Sequence, residues 1–195
     1  MKRWIWIGAG ALLLAVIAAA CKATRAGYEE PAHRVVRTEG KFELRDYEAF
    51  SVVSTPMKSA GGDMNGGFMR LFRYISGDNE RAQKVAMTIP VFVNPDANAG
   101  AMSFVVPQKV AAVGAPKPTG AEVSLEQVEA GRFAVLRFRG SREGANPQAA
   151  GVKIAEWVAA QKLRPVGAPR FAFYDPPWTP SFLRRNEVLL RVVAE

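Results

Sequence analysis

YEAFSVV, Tyr47 to Val53, has an echo later in the chain, EAGRFAVL at Glu129 to Leu136. The same order of patterns surrounds both copies. Before and through the first, FELRDYEAFSVVST (Phe42 to Thr55) alternates around Phe42, Leu44, Tyr47, Val52 and Val53, which predicts a strand pair or one long bent strand. GGDMNGG at Gly61 to Gly67 reads as a loop. FMRLFRYISG then sets Phe68, Leu71, Phe72 and Ile75 at i, i+3, i+4 and i+7, one face of a helix stopped at Gly77, with Met69, Arg70 and Arg73 on its other faces. KVAMTIPVFV (Lys84 to Val93) and AMSFVVP (Ala101 to Pro107) predict two strands joined by the turn NPDANAG.

Around the second copy, Glu122 to Gly140 predicts two strands, with Phe133, Val135 and Arg137 alternating against Ala134, Leu136 and Phe138. Asn146-Pro147 opens a helix whose apolar stripe is Val152, Ala155, Trp157, Val158 and Leu163. PRFAFYDPPW and NEVLLRVV give two more strands. A duplicated unit of this kind buries its apolar surface by pairing with its twin. The expected fold is α+β: a pseudo-two-fold duplicated unit forming an antiparallel sheet or distorted β-barrel with two helices packed on it, and a cleft between helices and sheet.

The 195 residues suit one domain, and 49% hydrophobic with 23% charged residues is the composition of a folded protein. The amino terminus stands apart. Lys2 and Arg3, the uncharged run Trp4 to Ala20 and the small residues Ala18 to Ala20 predict an export signal over residues 1–20. A run this long is also at the lower edge for an uncleaved anchor. Cys21, the single cysteine, excludes an intramolecular disulfide. Placed directly after the small residues, it resembles the lipid-attachment cysteine of bacterial lipoproteins; an ordinary cleavage site beside a chance cysteine is the alternative. Residues 21–40 then form a tether with a short lead-in strand at Arg34 to Arg37, and the domain spans 41–195. The predicted location is the bacterial cell envelope, as a membrane-tethered lipoprotein facing the periplasm.

Losing Lys2 and Arg3 with the leader would take the formal charge from +8 to +6. Such a surface favours acidic partners. The cations are dispersed and no nucleic-acid motif accompanies them, so nucleic acid is not expected. Enzymatic constellations are missing as well. The single histidine, His33, lies ahead of the domain, and the sequence holds no GxSxG, P-loop or HExxH pattern, so neither a nucleophile–base pair nor a zinc site is expected. Glu43, Asp46, Glu48, Asp175 and Glu187 read first as ion-pair partners. Phe68, Phe72, Trp178 and Phe182 offer flat apolar surface, while Arg70, Arg73, Arg184 and Arg185 can meet carboxylates. Together they suit a flat apolar ligand carrying carboxylates; the alternative is that Phe68 and Phe72, at helical spacing, belong to the core and that the paired arginines lie on the surface.

Four pieces in order, FELRDYE, GGFMRLFRYISGDN, KVAMTIPV and YDPPWTPSFLRRNEVLL, resemble the SOUL haem-binding family over Phe42 to Val193. The resemblance implies two pseudo-symmetric halves, two long helices, and haem or another porphyrin held in an apolar cleft beside the first helix. It places a propionate partner at Arg73 and cleft-lining residues at Phe68 and Phe72; Met69 and Arg70 complete the expected site. Two departures bear on it. A lysine of the DPP-x-x-P loop is Thr179 here, and no histidine matches the axial ligand of some members. Tyr174, Met69 and His33 remain alternatives for the iron, as does binding without a side-chain ligand, leaving the metal site open. The competing readings are a small-molecule hydrolase using Glu43 or Glu187 as base, and an envelope protein whose cleft takes lipid or peptide. In the quoted loop, Trp178 is expected to cap the core, and Arg184 and Arg185 to pair with Asp46 or Glu48 or to edge the cleft.

Overall fold

The computed structural model describes residues 25–57, 64–95 and 100–194. The export signal and Cys21 lie outside these residues. Nine strands, β1 (His33–Glu39), β2 (Phe42–Tyr47), β3 (Phe50–Pro56), β4 (Val91–Asn94), β5 (Ala101–Val105), β6 (Ser124–Val128), β7 (Gly131–Phe138), β8 (Leu163–Phe173) and β9 (Asn186–Ala194), form one antiparallel sheet. The helices are α1 (Met64–Ser76), the short α2 (Gln108–Ala112) and α3 (Ala145–Ala160). Among the described residues no helix is long and apolar enough to cross a membrane.

The strand order is β1-β2-β7-β9-β8-β4-β5-β3-β6, and the sheet does not close on itself. The α+β expectation holds in its open-sheet form. With β1 set aside, exchanging β2 for β6, β3 for β7, β4 for β8 and β5 for β9 reverses this order and leaves it unchanged. Each half also lends its first strand to the other, since β2 pairs with β7 and β6 with β3. The numbering shift that carries Val52 to Val135 also carries the buried residues of α1 (Gly67, Leu71, Tyr74, Ile75) onto four of the five of α3 (Ala150, Ile154, Trp157, Val158), Pro147 being the fifth.

Alternate strand residues feed two cores. Val53, Phe104, Ala134, Leu136, Phe171, Phe173, Val188 and Leu190 meet the helices. Their neighbours Val52, Phe92, Val105, Val135, Ala172 and Leu189 form a second cluster with Tyr47, Ile89 and Tyr174 on the opposite face. Burial on both faces is why these strands read as unbroken apolar runs. Leu71 and Ile154, both 0% exposed, anchor the helices at roughly 2 kcal/mol of transfer free energy each.

Four expectations are corrected. Helix α1 begins at Met64, inside the segment read as a loop. There Gly67 lies against β3 and β5, where an added Cβ would stand 3.7 Å from Thr55, Met57 and Met102. Its buried stripe takes Tyr74 in place of Phe72, which is exposed. On α3, Val152 and Ala155 are likewise exposed, while Ile154 is buried and Leu163 belongs to β8. Lys84 to Pro90 is not strand, because Val85 N–H bonds the Ile75 carbonyl at the end of α1, Ile89 N–H bonds Glu29, and Pro90 has no N–H to give.

The segment ahead of Lys41 is bound to the domain. Strand β1 pairs with β2 along its length, the Arg25 guanidinium meets Asp175 at 2.8 Å, and Glu30 meets Arg185 at 3.0 Å. All nine strands and both cores lie from Arg25 onward, so a chain beginning at Lys22 keeps every contact described.

Candidate functional site

Helix α1 seats Leu71, Tyr74 and Ile75 on β3 and β5, which turns Met69, Phe72 and Arg73 away from the sheet. Phe68 stands between the two sides. Its ring meets Phe104 edge-on at 5.2 Å and stacks with Phe72 at 6.1 Å and 14°. Phe72 remains 43% exposed and Met69 50% exposed, an apolar surface left open among the described residues. Large exposed aromatic and thioether side chains side by side point to a ligand rather than to packing.

The two arginines differ in their duties. Arg70 donates from Nε to Thr55 Oγ1 at 2.9 Å and from Nη2 to the Pro56 carbonyl at 2.7 Å, with Glu122 at 3.9 Å, so it ties α1 to β3. Arg73 is exposed, and its guanidinium makes no hydrogen bond or ion pair among the described residues; its carbonyl accepts from Asp78 N–H at 3.0 Å. Both line a cavity of about 310 Å³ with Tyr74, Asp78, Pro118 and Glu122. Tyr74 Oη donates to the Pro116 carbonyl at 2.8 Å, which holds that segment beside the helix. The structure thus brings all five predicted residues onto one helix. Phe68, Met69, Phe72 and Arg73 are available, and Arg70 supports the wall.

A larger cavity, about 900 Å³, opens between the start of α1 and α3, above β4 and β8. Met57, Met64, Val93, Phe171 and Phe173 line it, with Arg142 among its few polar residues. None of these residues is among those expected to line a cleft beside the first helix, because they come from five separate segments.

On the opposite face lies a buried ionic cluster. Glu187, 0% exposed, receives Arg45 at 2.8 and 3.2 Å, Arg185 at 3.0 Å and the Tyr174 hydroxyl at 2.9 Å. Burial alone would raise its pKa, but the Arg45 hydrogen bonds, the charges of Arg45 and Arg185 and the Tyr174 hydrogen bond together hold it below the usual carboxylate value. An enclosed carboxylate held ionised is a poor general base. Glu43 is tied to Arg45 at 2.7 Å. Glu43, Asp46, Asp175 and Glu187 are ion-pair partners, as expected, whereas Glu48 is exposed and in no ion pair among the described residues.

Other expectations change. Trp178 is 82% exposed and caps nothing, since the turn is held instead by Arg184 donating to the Thr179 and Pro177 carbonyls. Arg185 pairs with Glu187 and Glu30, whereas Asp46 pairs with Arg34 and Arg132. Of the alternatives for an iron ligand, Tyr174 is buried in the ionic cluster and His33 packs on Tyr47 at 4.8 Å, both on the face away from the helices. Met69 alone stands on the exposed face of α1. Among the described residues no three His, Cys, Asp or Glu side chains gather as a metal site.

A family model described as SOUL heme-binding protein matches residues 28–191. Heme-binding protein 1 of Xenopus laevis is 30% identical, over 75% of this chain and 81% of its own. Two solved structures share the fold at low identity. The EcmrR C-terminal domain superposes with a TM-score of 0.57 at 12% identity, over 79% of this chain and 98% of that one. A hydrolase from Listeria innocua gives 0.55 at 13%, over 81% and 94%.

Proposed function

The chain belongs to the SOUL heme-binding family, and we propose that it binds haem or a related tetrapyrrole on the outward face of α1. The observation that carries this reading is the stacked pair Phe68 and Phe72, with Phe72 exposed beside Met69 and with the Arg73 guanidinium without a partner among the described residues. The residues fit the group. A porphyrin plane lies on the aromatic and thioether surface, a propionate meets Arg73, and Arg70 fixes the helix against β3. When bound, haem would supply redox and gas-binding chemistry; the protein's part is to shelter one ring face and neutralise a carboxylate. With Met69 the single candidate side chain on this face for the iron, much of the affinity comes from stacking and charge, so free-base porphyrins compete.

The test is a Soret-band titration of residues 22–195 with hemin and with protoporphyrin. Saturable one-to-one binding is expected, weakened about tenfold in Phe72→Ala and several-fold in Arg73→Ala, magnitudes usual for one aromatic contact and one exposed charged hydrogen bond. Equal binding by all three proteins would remove the site from α1.

Carriage or buffering at the cell envelope is the setting proposed for this binding. It rests on the basic start, the apolar run and Cys21. Palmitate labelling of the expressed chain is expected and should vanish in Cys21→Ser; labelling that persists would place the lipid elsewhere.

A further inference from the structure

The 900 Å³ cavity owes its room to the sequence of α3. The shift that superimposes the two buried stripes sets Phe68, Met69 and Phe72 of α1 against Gly151, Val152 and Ala155 of α3. Small side chains therefore stand where the other half carries large ones, and all three line the cavity. At Gly151 an added Cβ would already lie 3.8 Å from the Phe171 ring. Most of the lining is apolar, with Asn94, Glu143 and Gln148 as the polar residues besides Arg142, and Met57 and Met64 supply flexible thioethers that adapt to a chain rather than to a rigid plate. The volume lies within the range of small-molecule sites.

Among the described residues one cation lines this cavity. Arg142, in the turn ahead of α3, has no hydrogen bond or ion pair among the described residues. Burial, with the like charge of Arg184, pulls its pKa below the ordinary guanidinium value, while Glu143 and Asp175 act weakly the other way. Asp175 is already held by Arg25 and by the Arg185 N–H, and Glu143 is exposed. Arg142 is thus a partly desolvated cation lacking its counter-charge at an apolar cavity.

We propose that this cavity binds a long-chain aliphatic monocarboxylate, its chain lying over Phe171 and Phe173 between the helices and its carboxylate on Arg142. Arg142 is the cation among the described lining residues that a carboxylate would meet, and Glu143 beside it is exposed and free to turn to solvent; the site is separate from the α1 face assigned to the tetrapyrrole.

The test is a fluorescence titration of residues 22–195 with cis-parinaric acid, with no porphyrin present, so that it stands whatever the Soret titration gives. Saturable binding is expected, lost in Gly151→Phe or Ala155→Phe, which fill the cavity from an exposed helix face. Arg142→Gln should weaken it about tenfold and Arg142→Lys should restore most of that, the effect of one charge-assisted hydrogen bond. The methyl ester should bind the parent protein no better than the acid binds Arg142→Gln. Equal affinity for acid and ester would overturn the role of Arg142. Unchanged binding in both filling variants would overturn the cavity. Competitive displacement by hemin, with Phe72→Ala weakening both ligands, would overturn the separateness of the two sites.

Discussion

Helices α1 and α3 bury the same pattern, yet their outward faces have nothing in common. Leu71, Tyr74 and Ile75 seat α1 on β3 and β5, and Ile154, Trp157 and Val158 seat α3 on their counterparts β7 and β9 and also on β8. At the adjoining positions α1 carries Phe68, Met69, Phe72 and Arg73, and α3 carries Gly151, Val152, Ala155 and Glu156. The fold requires the first set, because α3 supports its half of the sheet without a bulky aromatic outside its stripe. What α1 carries beyond that requirement is what a ligand would use. A duplicated protein thereby supplies its own control, since one half shows what packing alone demands.

The comparison breaks most readily at the shared stripe. Leu71→Ala and Ile154→Ala should each destabilise the protein by about 3 kcal/mol in urea unfolding, and by similar amounts, as expected for leucine or isoleucine truncation at fully buried sites. A large inequality would mean that the halves are not energetically equivalent. Acid gives the next effect. Because the Glu187 pKa is depressed in the folded state, its contribution is fully present above the unfolded value near 4.5 and is lost as pH falls through the lower folded value. Stability measured from neutral pH downward should hold to about that point and then fall, in parallel for both stripe variants, which leave the ionic cluster untouched. Divergent curves would show that the helices and the opposite face are coupled. The smallest effect sharpens the contrast: Phe72→Ala and Glu156→Ala should each change stability by less than about 1 kcal/mol, while only the first alters porphyrin binding.

The duplication was legible in the sequence because it is written in local terms, two strands, a helix and two strands on each side of matching segments. The sheet order was not, since nothing near Phe42 or Ser124 shows that each pairs with the other half. Phe72 was assigned to the buried stripe because α1 is apolar on two sides, and spacing alone does not say which side faces the sheet. The backbone bonds from Val85 and Ile89 that take Lys84 to Pro90 out of the sheet are long-range and leave no periodic trace. Arg45 and Glu187 sit among strand residues at positions where a one-sided sheet would expose them; burial of the second face turned them into an internal pair. Arg142 lies in a polar turn, and nothing among its sequence neighbours shows the largely apolar cavity beside it.

The lending of β2 to β7 and of β6 to β3 is reciprocal. Each half lacks one strand of its own unit and supplies the one its neighbour lacks, the arrangement found when two identical subunits exchange an edge strand. Two copies of a single half could complete the same sheet as separate chains, each lending its first strand to the other. In one chain the two halves need not be identical, and α1 carries aromatic side chains at positions where α3 carries small ones.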